Sequence, residues 1–201
     1  MKIVKIFPTI EGESSWSGTA VTFVRFGLCN LSCVWCDTDF SKFTEMSLVD
    51  VLQKVKSFPS KRVAISGGEP TIHLMDIYAL SSALRAAGYL VSLQTNGTNE
   101  IDIEMFDHVV LSPKEDVEMA KQSQQGNRTV KQFVCHDLKL VDKRWSIEQY
   151  QLYASRFTIL KDRWIQPLSN EKDSIDRCVQ LVMNNPQWRL SLQTHKMVGV
   201  E

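Results

Sequence analysis

Alternating strand-like and helix-like segments predict an α/β fold, a parallel sheet covered by helices and bent into an incomplete (β/α)6-type barrel. Three observations carry that expectation. Short apolar runs alternate with amphipathic stretches along the chain. Polar and turn-forming residues recur where those runs end, at Arg25, Gly67, Thr95, Ser112 and Gln166, as expected when parallel strands open onto one mouth. With about six such units, 201 residues are too few for the roughly 250 of a closed eightfold barrel.

Residues 7–14 read as a polar, turn-rich arm ahead of the first strand, which spans 21–26. Ser47, with Asp50 three residues on, caps a helix whose Leu48, Val51, Leu52 and Val55 share a face, and Pro59 ends it. A second strand covers 62–66. A second helix covers 73–87, with Leu74, Ile77, Leu80, Ala83 and Leu84 inward, a surface His73 near its start, and Gly88 as its stop. Strands at 89–95 and 108–111 follow, the first turning at Asn96-Gly97. Residues 115–129, rich in Gln and Ser, read as a mobile excursion before a strand at 130–134. Ser146 and Gln149 form a capping-box pattern. Asn170 and Asp173 open a last helix with Ile175, Cys178, Val179 and Val182 on one face, and 188–193 is the final strand. No internal repeat or linker appears, so the expectation is one domain over 1–201.

Composition narrows the function classes. Hydrophobic residues make up 43%, ordinary for a globular chain, and 23 basic side chains balance 23 acidic ones. Such a balance gives no footprint for nucleic acid or an anionic membrane. No run approaches the roughly 20 apolar residues of a membrane span, and the charged start Met1-Lys2-Ile3-Val4-Lys5-Ile6 does not read as a signal peptide. Five cysteines, an odd number with three clustered, fit a reducing compartment. A cytoplasmic protein is expected.

The chemistry concentrates in Cys29, Cys33 and Cys36, a CxxxCxxC loop directly after the first apolar run. Thiolates are soft ligands that select zinc, copper(I) or iron–sulfur clusters. A structural zinc site needs a fourth ligand, and the next candidates, His73 and Cys135, are far along the chain. Three thiolates on one short loop suit a four-iron cluster with one open iron. A disulfide with a spare thiol, or a structural metal site without chemistry, are the bland alternatives. Cys135 and Cys178 read as small buried residues.

The loop, with Trp35 before its last cysteine, resembles the cluster loop of the radical S-adenosylmethionine (SAM) enzymes. Ser66-Gly67-Gly68-Glu69-Pro70 then resembles that superfamily's SAM-binding turn. Further motifs narrow the resemblance to the 7-carboxy-7-deazaguanine synthases: Phe7-Pro8-Thr9-Ile10-Glu11-Gly12-Glu13, Cys36-Asp37-Thr38, Ser112-Pro113-Lys114, Gln166-Pro167 and His195-Lys196-x-x-Gly199. Three positions depart from the family pattern: Glu11 stands for Gln, Ser14 for Gly, and Gln94 for the usual acid before Thr-Asn-Gly. A charged carboxylate at position 11 accepts hydrogen bonds but does not donate as an amide does.

This resemblance implies a set of roles. Cys29, Cys33 and Cys36 would hold a 4Fe-4S cluster, and Thr38 would ligate Mg2+ together with substrate oxygens or water. Trp35, Asp37, Gly67, Gly68, Glu69, Asn96, Ser112, Pro113, Lys114, Gln166, Pro167 and Leu168 would bind cofactor. Ile10, Glu11, Gly12, Arg25, Ser66, His195 and Glu201 would meet the substrate, Arg25 as a guanidinium facing an anion. It also implies ring contraction of 6-carboxytetrahydropterin to 7-carboxy-7-deazaguanine with loss of ammonia, an external reductant such as flavodoxin, and a homodimer. A radical SAM activase of glycyl-radical enzymes is a rival reading, although it needs neither the Glu-Gly-Glu arm nor Cys-Asp-Thr. A non-catalytic iron–sulfur or zinc module is another, with no use for the SAM turn.

Overall fold

A computed structural model describes residues 1–33, 36, 38–114 and 133–200. In chain order its strands are β1 (Lys2–Ile10), β2 (Ala20–Phe26), β3 (Thr44–Glu45), β4 (Arg62–Gly67), β5 (Leu90–Thr95), β6 (His108–Leu111), β7 (Val134–Cys135), β8 (Asp137–Val141), β9 (Thr158–Ile159), β10 (Arg163–Gln166) and β11 (Arg189–Leu190). Its α-helices are α1 (Leu48–Lys56), α2 (Leu74–Ala86), α3 (Ile147–Ala154), α4 (Lys172–Asn184) and α5 (Thr194–Met197).

Among the described residues nine strands form one open sheet in the order β11-β10-β8-β6-β5-β4-β2-β1-β3. All neighbours from β2 to β11 in that order pair in parallel, while β1 is antiparallel to β2 and to β3. The sheet is therefore the expected α/β architecture, with an added antiparallel edge. Among the described residues, α1 to α4 provide four crossovers, fewer than six βα units imply. A 3-10 turn, Ile103–Met105, takes the place of a helix between β5 and β6.

The predicted Ser47 cap and the predicted Ser146–Gln149 capping box both form, the first also as a full capping box. Ser47 and Asp50 close the start of α1, and Ser146 and Gln149 close that of α3, each side chain bonding the other's backbone. Gly88, at φ +78°, turns the chain away after α2. Beneath the helices, Val24, Phe26, Val63, Ile65, Val91, Leu93, Val109, Leu111, Leu138, Leu140 and Ile165 pack into one core. The alternate residues on the same strands face the other way and include Phe23, Arg25, Ser66, Gln94, Val110, Lys139 and Gln166, all around one cavity. That period of two is the pleat itself.

Several expectations are corrected. The first strand is β1, so Phe7 to Ile10 belong to the sheet and not to a loose arm. Ile3, Ile6 and Phe7 are buried on it, with a register shift between Ile3 and Lys5 that upsets the simple alternation. Pro8 is tolerated because β3 pairs only with Lys2 and Ile3, leaving Pro8 on an edge where no donor is needed. Of the strand expected at 130–134, only Phe133 and Val134 lie among the described residues. Val134 starts the small β7–β9 sheet, and the main-sheet strand is β8. The excursion expected at 115–129 and residues 130–132 lie outside the described residues. The final strand shortens to Arg189–Leu190, since Gln193 already leads into α5. His73 is half-buried, not on the surface: its ring lies 5.6 Å from that of Phe26, and Nε2 is 2.9 Å from the Gly27 carbonyl.

The sheet curls far enough for its two ends to meet. The Ser15 backbone N–H, just after β1, donates to Asp137 on β8 at 2.9 Å. The Thr194 N–H at the start of α5 donates to the Gly12 carbonyl at 3.1 Å. Trp16 lies 5.5 Å from the buried His108 ring, so the 3-10 turn Ser14–Trp16 covers the end of the half-barrel where β6 begins. Among the described residues no helix is long and apolar enough to cross a membrane.

Candidate active site

The interior faces of the strands and the loops at their C-terminal ends line a cavity of about 520 Å³, a volume typical of cofactor and small-molecule sites. Its first wall is a clasp between two chain segments. Gly68 N–H donates to the Phe26 carbonyl at 3.1 Å, and Glu69 N–H donates to that of Leu28 at 2.9 Å. Beyond the parallel β2–β4 pair, the cysteine loop and the Gly-Gly-Glu turn thus stay joined. A Cβ on Gly68 would overlap the Leu28 oxygen and lie 3.0 Å from Cys29 Cβ, while one on Gly67 would overlap the Phe26 backbone. Gly67 also sits at φ +143°, which L side chains rarely adopt. Leu28 itself has φ +69°, placing Cys29 at the turn into the cavity.

None of Cys29, Cys33 and Cys36 is in a disulfide, and all three line the cavity with Thr38. Among the described residues no three His, Cys, Asp or Glu side chains converge as the ligands of a single ion do. A four-iron cluster asks for something else, three thiols around a cavity wide enough for the cluster and a ligand on its open iron. The residues present fit that demand. Cys135 and Cys178 are fully buried in the hydrophobic core and do not line the cavity.

Glu69 is 1% exposed. Its Oε1 accepts from the Thr71 N–H (3.0 Å), the Thr71 hydroxyl (2.7 Å) and the Thr95 hydroxyl (2.8 Å), and its Oε2 accepts from the Asn96 N–H at 2.6 Å. Burial pushes this carboxyl up, against hydrogen bonds that favour its charged form. Oε2, with one of its two lone-pair directions filled, keeps acceptor capacity for a ligand ammonium. Asn96 in turn donates to Asn30 Oδ1 at 3.1 Å, and Asn30 donates to Thr98 at 2.7 Å. The cysteine loop is therefore pinned at both the β4 and β5 turns.

The opposite wall comes from the arm after β1. Ile10, Glu11, Gly12, Arg25, Ser66 and His195 all line the cavity, as do Asn96, Ser112, Lys114, Gln166, Pro167 and Leu168. Pro113 is buried beside it without lining it. Arg25 lies over the Phe7 ring at 5.0 Å. A Cβ on Gly12 would overlap the His195 imidazole, so the C-terminal helix seats directly on the arm. Leu168 is held by its N–H to Ser174 Oγ (2.9 Å), and Ser174 donates to the buried Asp142 at 2.5 Å. Trp35, Asp37 and Glu201 lie outside the described residues.

Sequence reasoning passed over Lys139 and Gln193 and quoted Glu13 only within the arm motif, without a role; the three form the cavity's buried polar floor. Glu13 pairs with Lys139 and accepts from Gln193 Nε2 at 3.0 Å and Gln166 Nε2 at 3.3 Å. Burial pushes the Glu13 carboxyl up, but Lys139, Gln193 and Lys114 together outweigh it and hold the group below its ordinary value. The available signal was the alternation Asp137-Leu138-Lys139-Leu140, whose leucines fill the core while its polar residues turn inward.

Residues 23–120 match the family model described as Radical SAM superfamily. The 7-carboxy-7-deazaguanine synthase of Haemophilus influenzae is 34% identical across 99% of this chain and 93% of its own length. The chain belongs to that family. The synthase of Bacteroides thetaiotaomicron is likewise 34% identical, over 99% of this chain and 98% of its own. A crystal structure of QueE from Escherichia coli, 23% identical, superimposes with a TM-score of 0.76 over 95% of this chain and 92% of its own, which shows a shared fold. As a radical SAM enzyme the family member uses a 4Fe-4S cluster and SAM and acts on a small molecule.

The glycine clasp makes a direct prediction. Gly68→Ala places a methyl group into the Leu28 carbonyl, and either the cysteine loop or the turn must move. SAM affinity in the reconstituted protein is expected to fall at least tenfold, about 1.4 kcal/mol, with little change in circular dichroism. An unchanged Kd would show that the clasp does not shape the SAM site.

Proposed function

We propose that this chain is a 7-carboxy-7-deazaguanine synthase, converting 6-carboxytetrahydropterin to 7-carboxy-7-deazaguanine with loss of ammonia, in deazapurine (queuosine-type) biosynthesis. The observation that carries the reading is spatial. The cysteine loop, the Gly67-Gly68-Glu69 turn, the Glu11-Gly12-Glu13 arm and His195, scattered over the sequence, line one cavity. The named relatives, matched over 93% and 98% of their length, favour it over an activase or a metal module.

In this reading Cys29, Cys33 and Cys36 hold the cluster, and Glu69, Asn96, Ser112, Lys114, Gln166 and Leu168 surround SAM, with Pro113 shaping the bend that carries Ser112 and Lys114. Trp35 and Asp37 flank Cys36 in the same loop. Bound there, the cluster would supply one electron to SAM, and SAM would supply the radical chemistry that abstracts hydrogen from the pterin. The protein's part is to position and shield. Arg25 offers a planar cation for the substrate carboxylate, Ser66 a hydroxyl, and Ile10 with Phe7 an apolar wall. Thr38 offers a hard oxygen to magnesium, completed by substrate oxygens or water. One domain over 1–201, a cytoplasmic location, a flavodoxin-like reductant and a homodimer complete the proposal.

Incubated anaerobically with SAM, dithionite, magnesium and the pterin, the reconstituted enzyme is expected to release a product with the mass of 7-carboxy-7-deazaguanine. Alanine at Cys29, Cys33 or Cys36 should abolish both iron binding and SAM cleavage, whereas Cys135→Ala and Cys178→Ala should keep iron. Stoichiometric zinc in protein made anaerobically would refute the radical chemistry.

Thr38→Val is nearly isosteric but lacks the oxygen. Iron content is expected to survive while magnesium-stimulated turnover falls. A variant that turned over normally and ignored added magnesium would reduce Thr38 to a turn residue.

The tail after α5 bends back over the cavity. Val200 N–H donates to the His195 carbonyl at 3.0 Å, and Val200 lines the cavity. Glu201 follows at once, and we assign its backbone to the substrate side. Deleting residues 198–201 is expected to raise KM for the pterin at least tenfold, about 1.4 kcal/mol, while SAM cleavage without pterin continues. An unchanged KM would place the tail outside the site.

A further inference from the structure

Asp142 follows β8, and its side chain is fully buried and does not line the cavity. Five donors converge on it. Oδ1 accepts from the Arg144 N–H (2.9 Å), the Tyr150 hydroxyl (3.1 Å) and Arg177 Nε (3.2 Å), and Oδ2 accepts from the Ser174 hydroxyl (2.5 Å) and Arg177 Nη2. A carboxylate offers about four lone-pair sites, so these donors fill it and leave nothing for a ligand. Burying such a charge is costly unless it is paired, and Arg177 pairs it.

The effect of this carboxylate on Ser174 reaches the cavity. A serine hydroxyl has one proton, and here that proton goes to Asp142. The oxygen is left to accept, and it accepts the Leu168 N–H at 2.9 Å. Leu168 opens the 3-10 turn Leu168–Asn170, in which Ser169 (φ +49°) and Asn170 (φ +57°) both lie in the left-handed region. Residues with a side chain keep that conformation only where their surroundings over-determine it.

The turn is tied at each end. Ser174 holds its start, the Glu171 N–H donates to the Leu168 carbonyl at 2.9 Å, and Asn170 Nδ2 reaches the Gln193 carbonyl at 3.5 Å. The Asp142 N–H donates to the Gln166 carbonyl at 2.7 Å. One residue therefore holds segment 166–168 twice, directly through its backbone and through Ser174 by its side chain. Gln166, Pro167, Leu168 and Ser169 line the cavity, whereas Asp142, Ser174 and Arg177 do not.

We propose that Asp142 is a positioning residue for SAM: by taking the Ser174 proton it makes Ser174 an acceptor for Leu168, and so fixes the strained turn as a rigid wall of the SAM site. The nature of that wall rests on the proposed placement of Gln166 and Leu168 around SAM; the relay from Asp142 to Leu168 does not.

Ser174→Ala removes the relay and leaves the Asp142–Arg177 pair in place. In reconstituted protein the Kd for SAM, read from the change SAM makes in the electron paramagnetic resonance spectrum of the reduced cluster, is expected to rise at least about fivefold, the scale of one lost hydrogen bond. KM for the pterin should not change. Val182→Ala, two turns further along α4, trims packing against the core without touching the relay. It should lower the thermal midpoint and leave the Kd for SAM as it was. If it weakened SAM as much as Ser174→Ala, loss of stability would explain both and the proposal would fall.

Asp142→Asn keeps the shape, but Arg177 bonds both oxygens, so the amide nitrogen faces a donor whichever way it turns. This variant should weaken SAM at least as much as Ser174→Ala. Because the two residues act in series, D142N/S174A should bind SAM no more weakly than Asp142→Asn alone. Effects that multiply would overturn the relay.

Amide hydrogen exchange in the protein without SAM gives a readout independent of the cofactor. Ser174→Ala should speed exchange of the Leu168 amide at least about tenfold, a local opening that leaves the β10 amides unchanged. An unchanged Leu168 rate would overturn the relay. If the parent protein bound no SAM, the placement of SAM at this wall would fail, and the exchange rates would still decide the relay.

Discussion

The clasp between Phe26-Gly27-Leu28 and Gly67-Gly68-Glu69 is the contact on which the rest of the site depends. Parallel strands β2 and β4 end side by side, and two further backbone hydrogen bonds carry their pairing past the sheet. That continuation brings a thiol-bearing loop and a ligand-binding turn to backbone contact, and it works only where neither residue 67 nor residue 68 has a Cβ. Glu69 then extends the constraint sideways, gathering Thr71, Thr95 and Asn96 around one carboxyl. Its first task is structural. Four donors fix the carboxyl in place, and the remaining acceptor capacity on Oε2 is thereby aimed, which is how preorganisation acts in a low-dielectric site.

The polar interior explains which parts of the fold were legible. Elements whose buried face is apolar and whose ends carry local signals were read closely: β6 at its observed bounds, α1 and α3 at their capping boxes, α2 up to Gly88. Strand β8 was missed because Asp137 and Lys139 are polar yet buried, so the run resembles a half-exposed surface segment. In a half-barrel built around a ligand, the inward face of a strand is not a core face. Asp137 contacts Ser15 and His108, and Lys139 neutralises Glu13. Burial of a charge is affordable there only because a partner from another element meets it, and that partner is invisible in a local window.

The same division separates the two halves of the site. The cofactor side is written in contiguous motifs, Cys29 to Cys36 and Gly67 to Glu69, because loop and turn geometry is local. The substrate side is written across the chain. Glu13 meets Lys139, Gln166 and Gln193, and Gly12 meets Thr194 and His195. No short pattern contains such a set, and only resemblance to a family, not spacing, brought Glu11 and His195 into the same expectation.

Closure of the half-barrel follows from these long-range contacts. Among the described residues four helices cross over the sheet, and β3 and β11 stand at its two ends in strand order. What joins them is the arm after β1 meeting the turn into α5, with the Gly12 carbonyl receiving the Thr194 N–H and with Glu13 receiving Gln193. The seam of the fold is therefore also the floor and wall of the cavity. A change in this seam alters substrate contacts and sheet closure together, while the clasp at β2 and β4 lies on the other side and is left intact.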